Sequence, residues 1–237
     1  EIYGNTDKEI FKKLKNYTRN IDNSRFINFV SNDIYRRKEN DESLLGDIPT
    51  WNEYIGTWHG KSREELPEKF EIVKNVIGDR PLLITEHGLC EPRFTGGDAR
   101  RIDEMLYHIK QWASHDFVIG YIYFCLNDYR THMGEEGTGK YKIRRHGITD
   151  VYLNPKSSFY VYKQLASPIE ITKIVRIDNS RNVLVEIKVK NNIPSYAIRN
   201  YFIQYLTQDN ELVEIRLPDL MAGSTFTIEL KNINPQY

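Results

Sequence analysis

The hydrophobic pattern changes period once, at Ser167-Pro168, and this change narrows the possible folds most sharply. Before it, apolar residues at helical spacing alternate with short continuous apolar runs. After it, apolar and polar residues alternate with period two. The first pattern implies right-handed βα units on a parallel sheet, the second an antiparallel, sandwich-like module. The sequence therefore predicts an α/β unit over 1–166 and a small all-β unit over 167–237.

In the first unit, the capping box Thr6-x-x-Glu9 opens a helix with Ile10, Phe11, Leu14, Tyr17 and Ile21 at helical spacing. A strand is predicted over 25–30. Another is predicted over 50–56, running into the aromatic loop Thr57-Trp58-His59-Gly60. A second capping box, Ser62-x-x-Glu65, starts a helix with Leu66, Phe70, Val73 and Ile77 inward, and Pro67 is tolerated in its first turn. The run from Pro81 to Gly88 reads as a fully buried parallel strand. A helix from Asp98 with Ile102, Met105, Leu106, Ile109 and Trp112 inward follows, then a strand over 117–126. Asn154-Pro155 reads as cap and first position of a last helix. Four strands are half of the eight that a closed barrel needs. In the second unit, strand signals at 169–174, 183–189, 198–207, 211–217 and 224–230 are separated by turn clusters such as Asp178-Asn179-Ser180 and Lys190-Asn191-Asn192. Five strands make an incomplete sandwich, and both ends of the chain read as cut.

The chemistry concentrates on Glu86. It ends a buried strand, where an unpaired charge is costly and where α/β barrels place their ligands. On position alone it reads equally as an ion-pair partner of a nearby base. With 33 Lys+Arg against 33 Asp+Glu, no global field favours nucleic acid or an acidic membrane. No apolar run approaches the ~18 residues needed to span a bilayer, and no signal-peptide pattern opens the chain. Two cysteines, Cys90 and Cys125, make no disulfide framework. His87, His132 and His146 match no ligand spacing, so no metal and no cofactor are expected.

The succession Ser31-Asn32, Asn52-Glu53-Tyr54, Ile84-Thr85-Glu86-His87-Gly88 and Asn127-Asp128-Tyr129 resembles the C-terminal half of the catalytic barrel of glycoside hydrolase family 2, which holds β-galactosidases, β-glucuronidases and β-mannosidases. The likeness covers about 1–166, and the module after it looks like the immunoglobulin-like domain that often follows the barrel. It implies the second half of a (β/α)8 TIM barrel followed by a partial immunoglobulin-like sandwich. The implied activity is that of a retaining exo-β-glycosidase with β-galactosides as the leading substrate.

By the same likeness Glu86 is the nucleophile. Glu1 is the acid/base, matching the second member of an Asn-Glu pair whose Asn precedes the sequence. Two such carboxyls stand ~5–5.5 Å apart in retaining enzymes. The resemblance also implies substrate contacts for Asn52, Tyr54, Trp58, Phe124, Asp128 and Arg130. Plainer readings are a strand cap for Asn52, a core aromatic for Tyr54, a surface aromatic for Trp58 and, for Asp128 with Arg130, a mutual ion pair. Phe124 stands where many members carry Trp.

Glucuronide-specific members have an Asn-x-Lys before a Gly, whereas this chain has Arg144-Arg145-His146-Gly147. That motif's absence lowers β-glucuronidase to an alternative. A non-catalytic carbohydrate-binding module is the rival from another class. The expected partners are a β-glycoside and either the N-terminal remainder of a longer chain or a second copy to complete the barrel. Periplasmic or extracellular placement follows only by family analogy.

Overall fold

The computed structural model describes residues 7–91, 93–132, 142–177 and 180–234. It divides into two compact units, Glu1–Leu165 and Ala166–Tyr237.

The first unit is built on a parallel three-stranded sheet in the order β1 (Thr50–Asn52), β2 (Leu82–His87), β3 (Val118–Tyr123). The register sets Asn52 against Glu86 and His87 against Tyr123, so the three carboxyl ends finish side by side. The stretch over 25–30, expected as a fourth strand, is extended without being a regular one. Side chains take the bonds a ladder would make: Ile27 N–H donates to Asp47, Ile48 N–H donates to Asn28 Oδ1, and the Thr50 hydroxyl donates to the Phe29 carbonyl.

Helix α1 (Lys8–Ile21) is capped by Asp7, whose side chain accepts from the Glu9 N–H; Thr6 and Glu1 lie outside the described residues. The apolar face of α1 does not go inward. Ile10, Leu14, Tyr17 and Ile21 are exposed, and the helix is held through Phe11, edge-on to Phe29, and through Lys15 and Arg19 on Asp47. A short helix α2 (Ile34–Arg37) follows.

Helix α3 (Leu66–Ile77) buries Leu66, Phe70, Val73 and Ile77 as its spacing requires. Ser62 does not cap it: a 3-10 turn, Arg63–Glu65, intervenes, and Glu65 accepts from the Lys61 N–H. Strand β2 is buried at Leu82, Ile84 and His87 and only partly so between them, rather than sealed on both faces. Helix α4 (Gly97–Ala113) buries Met105, Ile109 and Trp112, but also Arg101, Glu104 and His108, while Leu106 is exposed.

After β3 come a two-stranded ladder of β4 (Tyr129–Arg130) with β5 (Ile143–Arg144) and helix α5 (Ser157–Leu165). Helix α5 starts later than Asn154-Pro155 suggests. Both oxygens of Asp98 in α4 bond its first turn at Ser158, while Asn154 bonds Asp150.

The second unit is all-β. A three-stranded antiparallel sheet orders β6 (Ile169–Arg176), β7 (Val183–Val189) and a last strand, Thr225–Leu230, with β7 in the middle. Strands β8 (Phe202–Leu206) and β9 (Leu212–Arg216) form a hairpin, which makes Thr225–Leu230 β10. The core of this unit gathers Val185, Ile187, Val189, Ile198, Leu217 and Leu230. Of the turn expected at Asp178-Asn179-Ser180, only Ser180 is among the described residues.

Candidate active site

A cavity of about 770 Å³ opens over the carboxyl ends of β1, β2 and β3, the size range of small-molecule sites. Its floor is Tyr54, just past β1, Glu86 in β2, and Phe124, just past β3. The Tyr54 hydroxyl donates to Glu86 Oε2 at 3.0 Å, so the acid is held at the cavity surface and is not sealed away. Gly88 is required behind it. A Cβ there would overlap the carbonyl oxygen of Phe124, so the chain after Glu86 runs tight against the chain after β3.

The walls come from loops. After β1, the backbone closes on itself through Gly56 N–H to the His59 carbonyl (2.7 Å) and His59 N–H to the Tyr54 carbonyl (3.0 Å), which aims Trp58 and His59 into the cavity. Trp58 is 37% exposed. It meets Phe94 edge-on, stacks near His146, and lies under the Arg144 guanidinium at 5.6 Å. Tyr129, Arg144 and His146 add the opposite wall, and Asn32, Asp33 and Arg36 the rim near α2. The wall at 144–146 is hung on Arg101. That fully buried guanidinium donates to the carbonyls of Leu89, Arg145 and His146 and pairs with Asp98 and Glu91.

Of the residues singled out from the sequence, Tyr54, Trp58, Glu86 and Phe124 meet at this cavity. The other described ones do not line it. Asn52 is buried, its side-chain oxygen accepting from the Thr85 hydroxyl at 2.7 Å. Asp128 is buried on Lys156 and the Gly147 N–H, not paired with Arg130; its role is to pin the loop ahead of α5. Arg130 is exposed and contributes backbone to β4. Glu1 lies outside the described residues. His59, Arg36, Arg144 and His146 face the cavity without having been chosen. The basic run at 144–146 was visible in the sequence, but which of its side chains turns inward is set by the β4–β5 pairing.

Behind the floor lies a buried polar group that the sequence pattern concealed. Glu53 is completely buried, with Oε1 accepting from the Ile55 N–H (2.6 Å) and Oε2 from His108 Nδ1 (2.6 Å) and Trp112 Nε1 (3.2 Å). Burial alone would push this carboxyl up; the charge and hydrogen bond of His108 outweigh it, and Glu53 stays below its ordinary value. Burial opposes the charge on His108, but Glu53 and Glu104 overcome it and raise the imidazole to about 9. Burial and the neighbouring His108 charge push His87 down to about 4. At neutral pH the group is therefore anionic Glu53, cationic His108 and neutral His87, and His87 at 3.7 Å from Glu53 Oε2 is no ion pair.

Glu53, His87 and His108 are also close enough in donor atoms to suggest a metal site. Their hydrogen bonds argue otherwise. His87 Nδ1 lies 2.9 Å from the Glu53 carbonyl and so carries its proton there, and His108 Nδ1 is spent on the Glu53 carboxylate. Neither Nδ1 keeps a lone pair for a cation, and a cationic His108 has none at Nε2 either, so with these bonds in place only His87 Nε2 and the Glu53 carboxylate retain donor capacity, short of a three-ligand set.

No family model matches the chain. A β-galactosidase of Thermoanaerobacterium thermosulfurigenes is 31% identical over 168 residues, which is 68% of this chain and 22% of that protein. The chain is similar to that β-galactosidase over the stretch that carries the family 2 motifs. It spans about a fifth of that curated relative's length. Among solved structures, a β-glucuronidase of Ruminococcus gnavus in complex with D-glucuronic acid aligns with TM-score 0.56 at 21% identity, over 69% of this chain and 30% of that one. A β-galacturonidase of Eisenbergiella tayi bound to galacturonate aligns with TM-score 0.54 at 19% identity, over 66% and 30%. At these identities the structural likeness is one of fold.

Proposed function

We propose that this chain is a family 2 segment and carries the nucleophile side of a retaining exo-β-glycosidase site, with β-galactosides as the leading substrate. The observation that carries the reading is Glu86 at a parallel strand's carboxyl end, facing an open cavity and held by the Tyr54 hydroxyl. In this reading the three parallel strands and their helices belong to the second half of a (β/α)8 barrel, and the all-β unit is an immunoglobulin-like module. The remainder of a longer polypeptide, or a second copy, completes the barrel.

Glu86 attacks the anomeric carbon as Glu1 gives its proton to the leaving oxygen, forming a covalent glycosyl-enzyme. Glu1 then takes a proton from the water that breaks that bond. Tyr54 holds the Glu86 carboxylate through its hydroxyl, and Trp58 and Phe124 offer apolar faces to the sugar ring. A 2-deoxy-2-fluoro β-galactoside should leave a covalent label on the Glu86 peptide. Label elsewhere, or products of inverted anomeric configuration, would overturn the assignment.

A second reading, a β-glucuronide substrate, is favoured by Arg36 and Arg144 at the cavity, since a guanidinium binds a sugar carboxylate by paired hydrogen bonds. The ratio of kcat/KM for aryl β-galactoside and aryl β-glucuronide decides between them. No turnover on a broad panel of aryl β-glycosides by the full-length protein would leave the non-catalytic binding module.

A further inference from the structure

The residue that precedes Tyr54 carries a fully buried carboxylate anchored by three donors. Three donors converge on Glu53 from α4 and from its own loop, and its backbone is bonded at both polar atoms. The Glu53 N–H donates to the Glu86 carbonyl at 2.9 Å, and the Glu53 carbonyl accepts from His87 Nδ1 at 2.9 Å. The His87 ring stacks on the Tyr54 ring, with centroids 6.2 Å apart and planes at 24°, and the Tyr54 hydroxyl returns to Glu86 Oε2. The circuit is closed, running Glu53, Glu86, Tyr54, His87 and back. Packed apolar side chains would fill this space at lower cost than a buried ion pair, so stability alone does not account for it.

We propose that Glu53, anchored by His108 and Trp112 of α4, is a positioning residue that fixes the Tyr54–Glu86 contact from behind. The inference rests on the reading of Glu86 as nucleophile. It adds that α4, which does not line the cavity, sets the nucleophile's geometry. Glu53→Gln removes the anchor because an amide presents one acceptor oxygen where three donors converge.

In the full-length protein, Glu53→Gln should lower kcat on an aryl β-glycoside by about ten-fold to a hundred-fold with KM changed by less than about two-fold, the signature of a misplaced group rather than a lost subsite. Its crystal structure should show Tyr54 Oη beyond hydrogen-bond distance of Glu86, and Glu53→Asp, which keeps the charge, should recover part of kcat. A Tyr54–Glu86 contact that stays in place, or a kcat that stays within about two-fold, overturns the proposal. If Glu53→Gln fails to fold, Trp112→Phe deletes one donor to the same oxygen and is read by the same two measurements. If the wild type shows neither turnover nor covalent label, the glycosidase reading is what fails, and the variant's crystal geometry alone decides the positioning claim.

Discussion

Tyr54 and Gly88 act on Glu86 in different ways, and each can be changed alone. Tyr54 offers Glu86 a hydrogen bond that phenylalanine would not supply. Tyr54→Phe should therefore leave folding intact and lower kcat by about a hundred-fold, the usual cost of losing one donor at a reacting oxygen. Steady-state kinetics together with an unchanged unfolding midpoint would check it. Gly88 works through space. Any side chain there pushes against a carbonyl oxygen that belongs to the neighbouring strand end. Gly88→Ala should destabilise by about 1–3 kcal/mol, the range for overpacking, read from urea unfolding of the full-length protein. Both residues stood in the quoted motif. Glu86 stood there as well, and the likeness set Tyr54 near it; the Gly88–Phe124 approach was not legible, because it joins positions far apart in sequence and depends on register.

At the scale of elements, α4 departs most from its sequence pattern. Apolar spacing located the helix and its Met105, Ile109 and Trp112 correctly, yet the same face carries Arg101, Glu104 and His108 into the interior. Polar residues on a helix are read as solvent-facing by default, so this was legible only as an unusual i, i+3, i+7 interruption of the apolar stripe. Likewise α1 was legible as a helix and not as one whose stripe stays exposed, because periodicity reports a face and not what covers it. The strand expected over 25–30 failed because Asn28 and Asp47 side chains make the bonds that backbone would have made.

The buried imidazoles of β2 and α4 give the first unit a pH signature. His108 is raised from 6.5 to about 9, so its contribution to stability is complete below about 6.5 and is lost as pH rises through 9. His87 is depressed from 6.5 to about 4, so the folded chain refuses a proton that the unfolded chain binds, and stability falls as pH drops from 6.5 towards 4. Glu53 and Glu104, both held below their ordinary values, add to the acid-side loss. The unfolding midpoint should therefore peak near pH 6.5 and decline on both sides, the alkaline decline being on the order of 3 kcal/mol at most. His108→Gln should lower the maximum and flatten the alkaline limb. An alkaline limb that stays steep in that variant would mean another group causes it.

For the whole molecule, surfaces matter more than contacts. The first unit leaves Ile10, Leu14, Tyr17 and Ile21 of α1, and Ile119 and Ile122 of β3, open to solvent. Apolar area on this scale drives association. Sedimentation of the 237-residue chain should show concentration-dependent self-association, reduced by charged residues at Ile10 and Leu14; a monomer up to high concentration would argue that this face is covered within the chain. The cavity, in contrast, has a division of labour built into it. Its floor belongs to strand ends locked in register, whereas the wall bearing Arg144 and His146 is a loop held by the Arg101 guanidinium, the Glu91–Arg145 backbone bridge and the β4–β5 ladder. In the proposed reading, sugar preference belongs to the loop wall and bond breaking to the strand ends, so a lineage could exchange that loop for another and inherit a new diet without rebuilding its chemistry.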